Sequence, residues 1–139
     1  MKRTAILAVL VAAMLAGCSK GPVSVPIGQR THVAYGDNRH VELVVKTELK
    51  PASLEVTFEN VGEEKWIIWS ELFYYHFPNG KLVQYTGRFS GSGAYAGIPL
   101  TSDDIPAGHS KTYGLPVPEG CDKILYKDRD KVQFVLLLK

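Results

Sequence analysis

The sequence predicts an all-β fold, a two-sheet antiparallel β-sandwich of about seven strands that follows an N-terminal signal segment. Residues 54–59 alternate apolar and polar side chains, a pattern typical of a strand with one buried and one solvated face. Residues 66–77 are rich in aromatic and β-branched side chains, which favour strands. Several such short segments, separated by turn residues, are typical of a sandwich.

Turn residues separate the predicted strands along the chain. Residues 50–52 (Lys-Pro-Ala) and 60–63 (Asn-Val-Gly-Glu) divide the first strands from one another. Asn79-Gly80 lies between two apolar runs and is the strongest short hairpin signal, because both central residues of the preferred two-residue turn need a positive φ. The predicted strands span residues 40–49, 54–59, 66–77, 81–86, 109–115 and 132–138.

The aromatic run 66–77 would carry apolar side chains on both faces of a straight strand, because successive residues point to opposite sides. One sandwich core cannot bury both faces. Three interpretations follow: a bulge near Ser70-Glu71 exchanges the faces, loops cover the outer face, or the outer face binds a partner.

The segment 87–97 (GRFSGSGAYAG) combines four glycines with aromatic residues, and it predicts either a mobile connection or an adaptable contact loop. It is not a phosphate loop, because neither G-x-G-x-x-G nor Gly-Lys-Ser/Thr is present. Aromatic surfaces suit protein partners and could also stack on sugar rings. The aromatic run, this loop and Tyr85, which flanks the loop, supply the candidate binding platform: Trp69, Tyr75, Tyr85, Phe89 and Tyr95.

The N-terminus has the three parts of a secretory signal. Lys2 and Arg3 are basic, residues 5–16 are apolar, and small residues precede Cys18. The apolar run is too short to span a bilayer, which needs about 20 residues. Residues 15–18, Leu-Ala-Gly-Cys, resemble the lipobox of bacterial lipoproteins.

This resemblance implies that residues 1–17 are a signal peptide and that Cys18 becomes the lipidated first residue of the mature chain. In that family Ser at the next position, here Ser19, goes with the outer-membrane default, so we expect a lipid-anchored envelope protein at the outer membrane that faces the periplasm. The alternative is an ordinary signal peptide with a chance cysteine. Residues 18–31 then predict a flexible tether, and residues 32–139 the sandwich domain.

Charge and cysteine content exclude some functions. Of 16 basic and 14 acidic residues, the basic Lys2 and Arg3 lie in the signal, so the formal charges of the mature chain cancel. No basic field is left that would favour nucleic acid. With Cys18 lipidated, Cys121 has no partner within the chain, and we expect either a buried, inert thiol or a bond to another chain.

No residue pattern indicates catalysis, a metal or a cofactor. The HExxH motif of zinc peptidases and the G-x-S-x-G motif of serine hydrolases are absent. Asp103-Asp104 and Asp128-Arg129-Asp130 offer too few oxygen ligands for calcium, and solvated turns are the preferred interpretation. We therefore expect a protein that is not an enzyme. The four histidines lie in different predicted elements: His32, His40, His76 and His109.

Most of the chain after residue 53 resembles a bacterial β-sandwich domain that occurs beside deuterolysin-like zinc peptidases and in standalone secreted proteins. The matching segments are LEVTFENVG (54–62), LFYYHFPNGKLVQYTG (72–87), IPLTSDDIPAGHSKTYGLPV (98–117) and VQFVLLL (132–138). The resemblance implies an accessory or binding domain without the catalysis. The architecture is Ig-like, although the Cys-Trp-Cys hallmark of true Ig domains is absent.

These observations lead to three hypotheses about function. The first is a non-catalytic envelope lipoprotein that presents its Ig-like domain to another envelope protein for binding or scaffolding. The second is an inhibitor or immunity-type lipoprotein that acts on a secreted peptidase or a cell-wall hydrolase. The third, a small enzyme, ranks last because no ligand or nucleophile pattern supports it.

Overall fold

In the computed structural model, residues 21–36, 40–90 and 97–139 are described. Within them the chain forms thirteen strands, several of them short, and a single 3₁₀ turn at Ser70–Leu72. None of these segments is a helix of the length and apolarity needed to cross a bilayer. The strands are β1 (Val23–Val25), β2 (Thr31–Tyr35), β3 (Val41–Leu49), β4 (Ser53–Asn60), β5 (Trp66–Trp69), β6 (Phe73–His76), β7 (Leu82–Gln84), β8 (Phe89–Ser90), β9 (Pro99–Leu100), β10 (Ser102–Ile105), β11 (Ser110–Pro116), β12 (Lys123–Asp128) and β13 (Lys131–Leu137).

Two larger sheets form the sandwich. The five-stranded sheet has the order β1-β13-β12-β6-β7, and the four-stranded sheet has the order β11-β4-β3-β2. Two short ribbons, β10-β5 and β8-β9, complete the described fold. The prediction of an all-β sandwich is confirmed. The predicted count of about seven strands is too low: β2 and β12, of five and six residues, are not among the predicted strands, and β1, β8, β9 and β10 have only two to four residues, too few to show a periodicity in the sequence.

The apolar core lies between the two larger sheets. In β4, the side chains of Leu54 and Phe58 are fully buried and the residues between buried positions are partly exposed, as the alternation predicts. Aromatic rings fill the centre of the core. The rings of Tyr126 and Phe134 stack with their centroids 4.9 Å apart, and Phe73 meets the Tyr126 ring edge-on at 4.8 Å.

β1 belongs to the sandwich and corrects the predicted domain boundary. Val23–Val25 pairs in parallel with β13, and the Val25 side chain is fully buried. The prediction of a flexible tether over residues 18–31 is therefore wrong from residue 23 onward, and the domain begins before residue 32. Prolines flank this three-residue strand. The segment around it is rich in Gly and Pro, a composition typical of a linker, so the strand could not be recognised from the sequence. The parallel pair also departs from the purely antiparallel pairing that the sequence predicts.

The aromatic run changes sheets at the 3₁₀ turn. β5 pairs with β10, whereas β6 pairs with β12 and β7. Ser70 secures the turn, because its backbone N–H donates to the Thr101 carbonyl at 2.8 Å and its hydroxyl to the same carbonyl at 3.3 Å. The interpretation that the faces exchange near Ser70-Glu71 is confirmed, with a helical turn in place of a bulge. Buried positions are even-numbered before the turn and odd-numbered after it: Trp66, Ile68, Phe73 and Tyr75.

The β6–β7 hairpin uses a three-residue connection. The Phe77 N–H donates to the Lys81 carbonyl at 3.0 Å, and the Gly80 N–H donates to the Phe77 carbonyl at 2.8 Å. Gly80 has a φ of 87°, but Asn79 has no positive φ. The hairpin is confirmed, while the predicted two-residue turn is wrong. Pro78 presets the backbone of a turn that ends in a left-handed glycine, which is the common three-residue solution.

Candidate binding surface

A groove separates β10 from β11. β11 is the edge strand of the four-stranded sheet and β10 is half of the β10-β5 ribbon, so the two strands belong to different sheets. The groove has a volume of about 400 Å³ and is lined by Arg88, Phe89, Asp103 and residues 111–114. Ligand-binding clefts commonly have volumes of about 300–1,000 Å³.

Asp103 is the charged centre of the groove. Its carboxylate accepts hydrogen bonds from Lys111 Nζ at 3.0 Å, from the Tyr113 hydroxyl at 2.8 Å and from the Asp104 backbone N–H at 2.9 Å. Burial raises the pKa of Asp103, but the hydrogen bonds from Tyr113 and Lys111 outweigh it and hold the pKa below its ordinary value. Asp103 is therefore ionised at neutral pH, and the Lys111 ammonium balances its charge.

Tyr113 gives the groove an apolar wall. Its ring centroid lies 4.6 Å from that of Phe89 and 6.0 Å from that of Phe58. Burial and the neighbouring Asp103 carboxylate raise the pKa of the Tyr113 hydroxyl, which therefore stays protonated as a donor. The groove thus combines an aromatic wall with the Asp103–Lys111 ion pair.

One edge of the β11 backbone is used by β4. Backbone groups of an antiparallel strand alternate between the partner and the opposite side. At one end of β11 the His109 carbonyl accepts from the Asn60 N–H, and at the other end the Val117 N–H donates to the Ala52 carbonyl. The odd-numbered residues of β11 therefore direct their backbone N–H and C=O groups toward β4.

The even-numbered residues of β11 direct their backbone groups to the open side. The Pro116 carbonyl shows this directly, because the Tyr75 hydroxyl of the opposite sheet donates to it. Thr112 and Gly114 share this parity and line the groove. Both residues are exposed, so their N–H and C=O groups form a strand edge at the groove that is free of partners among the described residues.

Arg88 borders both the groove and a second, smaller cavity. The smaller cavity has a volume of about 180 Å³, and Glu71, Gln84 and Tyr85 are among its lining residues. Arg88 is exposed and forms no ion pair with any residue in the described part of the chain. Its guanidinium is therefore available to an anionic group in either cavity.

The outer face of the β10-β5 ribbon carries two exposed apolar side chains. Ile67 is 40% exposed and Trp69 is 39% exposed, and they lie two residues apart on one face of β5. We name these two residues the ribbon patch. Asp104 lies opposite Ile67 in the register and forms an ion pair with Lys65 at 3.3 Å. The Trp69 backbone N–H donates to the Tyr126 hydroxyl at 3.1 Å, which secures the strand beneath the patch.

The five residues of the predicted platform do not form one surface. Trp69 is exposed and Tyr85 is half-buried, whereas Tyr75 and Phe89 are only 7% and 5% exposed. Tyr95 lies outside the described residues. The platform prediction is therefore wrong for Tyr75 and Phe89, which pack inside the fold.

The 3₁₀ turn explains the burial of Tyr75. A straight strand would place Tyr75 on the same face as Trp69, but the turn at 70–72 moves it to the core face. Its ring meets that of Tyr85 edge-on at 6.1 Å, and burial raises the pKa of Tyr75 to about 12. Tyr75 links the two sheets, because its hydroxyl donates to the Pro116 carbonyl of β11.

Sequence reasoning missed a histidine–aspartate pair on the five-stranded sheet. His76 Nδ1 and Asp122 Oδ1 lie 2.7 Å apart, and this hydrogen bond lowers the pKa of Asp122. The two residues are 46 positions apart, so no local spacing signals them. Neighbouring Cys121 is buried, as one of the two expectations for it stated. Its thiol donates to the Lys123 carbonyl at 3.2 Å, and burial raises its pKa, which disfavours the nucleophilic thiolate.

In the described part of the chain, acidic and histidine side chains do not cluster into a metal site. Across residues 21–36, 40–90 and 97–139, no three side chains of His, Cys, Asp or Glu come together so that they could hold a metal ion. Asp103 and Asp104 lie on strand β10 and each contacts a lysine. The interpretation of this pair as a solvated turn is therefore wrong.

Comparison with known proteins bears on the fold. No known protein family matches the chain, and no curated protein matches it. The chain is similar to the crystal structure of the yjhA protein from Bacillus subtilis, with a TM-score of 0.52 and 16% sequence identity; the match covers 83% of this chain and 99% of that one. A likeness at this identity shows the fold alone.

Proposed function

We propose that this chain is a non-catalytic lipoprotein of the cell envelope that binds another envelope protein through its β-sandwich. The resemblance of residues 15–18 to a lipobox supports anchoring through Cys18 at the outer membrane, facing the periplasm. The observation that carries the binding function is the ribbon patch, Ile67 and Trp69, exposed side by side on β5.

The chemistry of the ribbon patch suits a protein interface. Trp is enriched among the residues that contribute most to binding energy at interfaces. The Lys65–Asp104 ion pair beside it supplies the polar rim that such interfaces have. Because a hydrogen bond to Tyr126 holds the Trp69 backbone, the backbone at this position loses little conformational entropy when a partner covers the indole.

Crosslinking in intact cells tests the proposal. Full-length protein with an affinity tag after Lys139 would be crosslinked in its own envelope and purified. The test variant carries Ile67→Ala with Trp69→Ala. The matched control carries Leu49→Ala with Leu82→Ala, two apolar residues of comparable exposure, 47% and 40%, that lie on other strands.

A single stoichiometric protein that the test variant loses and the control retains is the expected result. A folded, membrane-anchored protein that captures nothing specific, or whose capture does not depend on the ribbon patch, would contradict the proposal. Loss of membrane association in Cys18→Ser cells, measured by fractionation, checks the anchor separately.

The second candidate is an inhibitor or immunity-type lipoprotein that acts on a secreted peptidase or a cell-wall hydrolase. The resemblance of residues 54–138 to a peptidase-associated domain favours it. It uses the same surface, and the identity of the captured protein separates the two candidates. A captured hydrolase whose activity falls on addition of the purified lipoprotein would make inhibition the function.

A further inference from the structure

The groove between β10 and β11 is spanned by side chains instead of backbone hydrogen bonds. Lys111 and Tyr113 reach across from β11 to Asp103 on β10, at 3.0 and 2.8 Å. Adjacent strands lie about 4.8 Å apart, so two strands that flank a third are separated by about 10 Å. Long side chains meeting a carboxylate can bridge that separation.

We infer that this groove accepts an extended segment of another protein, which adds as a strand to the free edge of β11 and places a carboxylate side chain against Arg88. The inference rests on the proposed function in that the occupant is a protein. It concerns a different face of the β10-β5 ribbon from the ribbon patch.

The backbone of β11 provides the pairing groups. Thr112 and Gly114 direct N–H and C=O groups to the groove, and both residues are exposed. Two such alternate residues can form a ladder of backbone hydrogen bonds with an added strand of about four residues. Strand addition to a sheet edge is an established mode of peptide recognition, in which main-chain hydrogen bonds give affinity and pockets for alternate side chains give specificity.

The charges in the groove favour an acidic segment. The Asp103 carboxylate is already paired with Lys111, so these two charges cancel. Arg88 adds an exposed guanidinium that has no acidic partner among the described residues. A carboxylate can form two parallel hydrogen bonds with such a group, which gives both affinity and orientation. A basic residue at the same position of the segment would be repelled.

The aromatic wall supplies the second specificity element. The Tyr113 ring, packed at 4.6 Å against Phe89, lines the groove below the free edge of β11. Side chains of an added strand alternate between its two faces. The inward-facing side chains of the segment would therefore contact this wall and should be apolar.

Fluorescence anisotropy with defined peptides tests the inference. The probes are labelled heptapeptides Ser-Thr-Val-X-Val-Thr-Ser in which X is Glu, Gln or Lys, titrated with the full-length acylated protein in detergent micelles. Two further versions of the Glu peptide carry N-methyl groups on alternate backbone amides. One version is methylated at the odd-numbered residues and the other at the even-numbered residues. The variants are Arg88→Gln and, as the control, Arg129→Gln in the exposed β12–β13 turn.

We expect the Glu peptide to bind at least about tenfold more tightly than the Gln peptide, a difference that Arg88→Gln abolishes and Arg129→Gln retains. One N-methyl parity should lose binding and the other should keep it. Equal binding of the Glu and Gln peptides, equal effects of the two parities, or no binding below about 1 mM would each overturn the inference. Capture through the ribbon patch is independent of Arg88, so failure of the peptides leaves the proposed function standing.

Discussion

The side-chain amide of Asn60 donates a hydrogen bond to the backbone carbonyl of Ile105 at 2.8 Å and so joins the end of β4 to the end of β10. The same amide donates to the Glu64 carbonyl at 2.8 Å, and its Oδ1 accepts from the Gly62 N–H at 3.0 Å. Asn60 is 2% exposed. One buried side chain therefore holds the four-stranded sheet, the turn that follows it and the ribbon together.

Replacing Asn60 should destabilise the fold strongly. Asn60→Ala leaves two carbonyls and one N–H without their partner, and each unsatisfied buried group costs about 1–3 kcal/mol. We expect the free energy of unfolding in urea to fall by about 3 kcal/mol. The control is Asn79→Ala in the exposed β6–β7 turn, where a single hydrogen bond to Lys81 is lost and about 0.5–1 kcal/mol is expected. Equal losses for the two variants would contradict the role of Asn60.

Thr47→Val should stabilise the protein. The Thr47 hydroxyl is fully buried and has no hydrogen-bond partner among the described residues. Valine has nearly the same shape without the unsatisfied oxygen, so we expect the free energy of unfolding to rise by about 1 kcal/mol. Thr57→Val is the comparison, because Thr57 is partly exposed and its hydroxyl bonds that of Thr112 at 2.8 Å. A loss of stability in Thr47→Val would show that the hydroxyl has a partner.

The pKa of Asp103 should respond to Tyr113. Because the pKa of Asp103 is lowered in the folded state, its stabilising contribution is full above the unfolded value, about 4, and is lost as the pH falls through the folded value. Tyr113→Phe removes one donor and should raise the pKa of Asp103, measured by ¹³C NMR of the carboxyl group. Thr112→Val, on the other face of β11, should leave it unchanged. An unaltered Asp103 titration in Tyr113→Phe would refute the bridge.

Arg129→Gly should stabilise the β12–β13 turn. Arg129 has a φ of 56°, a left-handed conformation that costs an L-residue about 1–2 kcal/mol. Glycine removes this cost but gains freedom in the unfolded chain, so we expect a net rise of about 0.5 kcal/mol in the free energy of unfolding. Asp130→Gly, at a neighbouring residue without a positive φ, should lower stability instead. Thermal melts of the two variants with shifts in the same direction would be inconsistent with strain at Arg129.

The sequence could predict the strands whose pattern is long enough to be read. β4 shows six alternating residues, and the core face of Leu54 and Phe58 follows from that alternation. β1 has only three residues, and its burial depends on β13, more than a hundred positions away along the chain. A pattern confined to one segment cannot report a parallel partner at the other end of the chain.

The candidate site was harder to predict because it depends on contacts between distant segments. Aromatic residues have the same composition in a core and on a surface, so Tyr75 could not be told from Trp69 without the turn at 70–72. The hydrogen bonds from Lys111 and Tyr113 to Asp103 depend on the placement of β10 beside β11. Neighbouring residues in the sequence carry no signal of that placement.

Under the proposed lipid anchoring, the early start of β1 limits how far the domain can stand from the membrane. With Cys18 as the proposed anchor, four residues separate it from Val23, and the five Cα–Cα steps between the two span about 17 Å when the chain is fully extended. β1 runs parallel to β13. The start of β13 and the charged turn at Asp128–Lys131 therefore lie at the same end of the sandwich as the segment that precedes β1. Under the proposed anchoring at Cys18, that end would face the lipid headgroups, and a partner would meet it only at the bilayer surface.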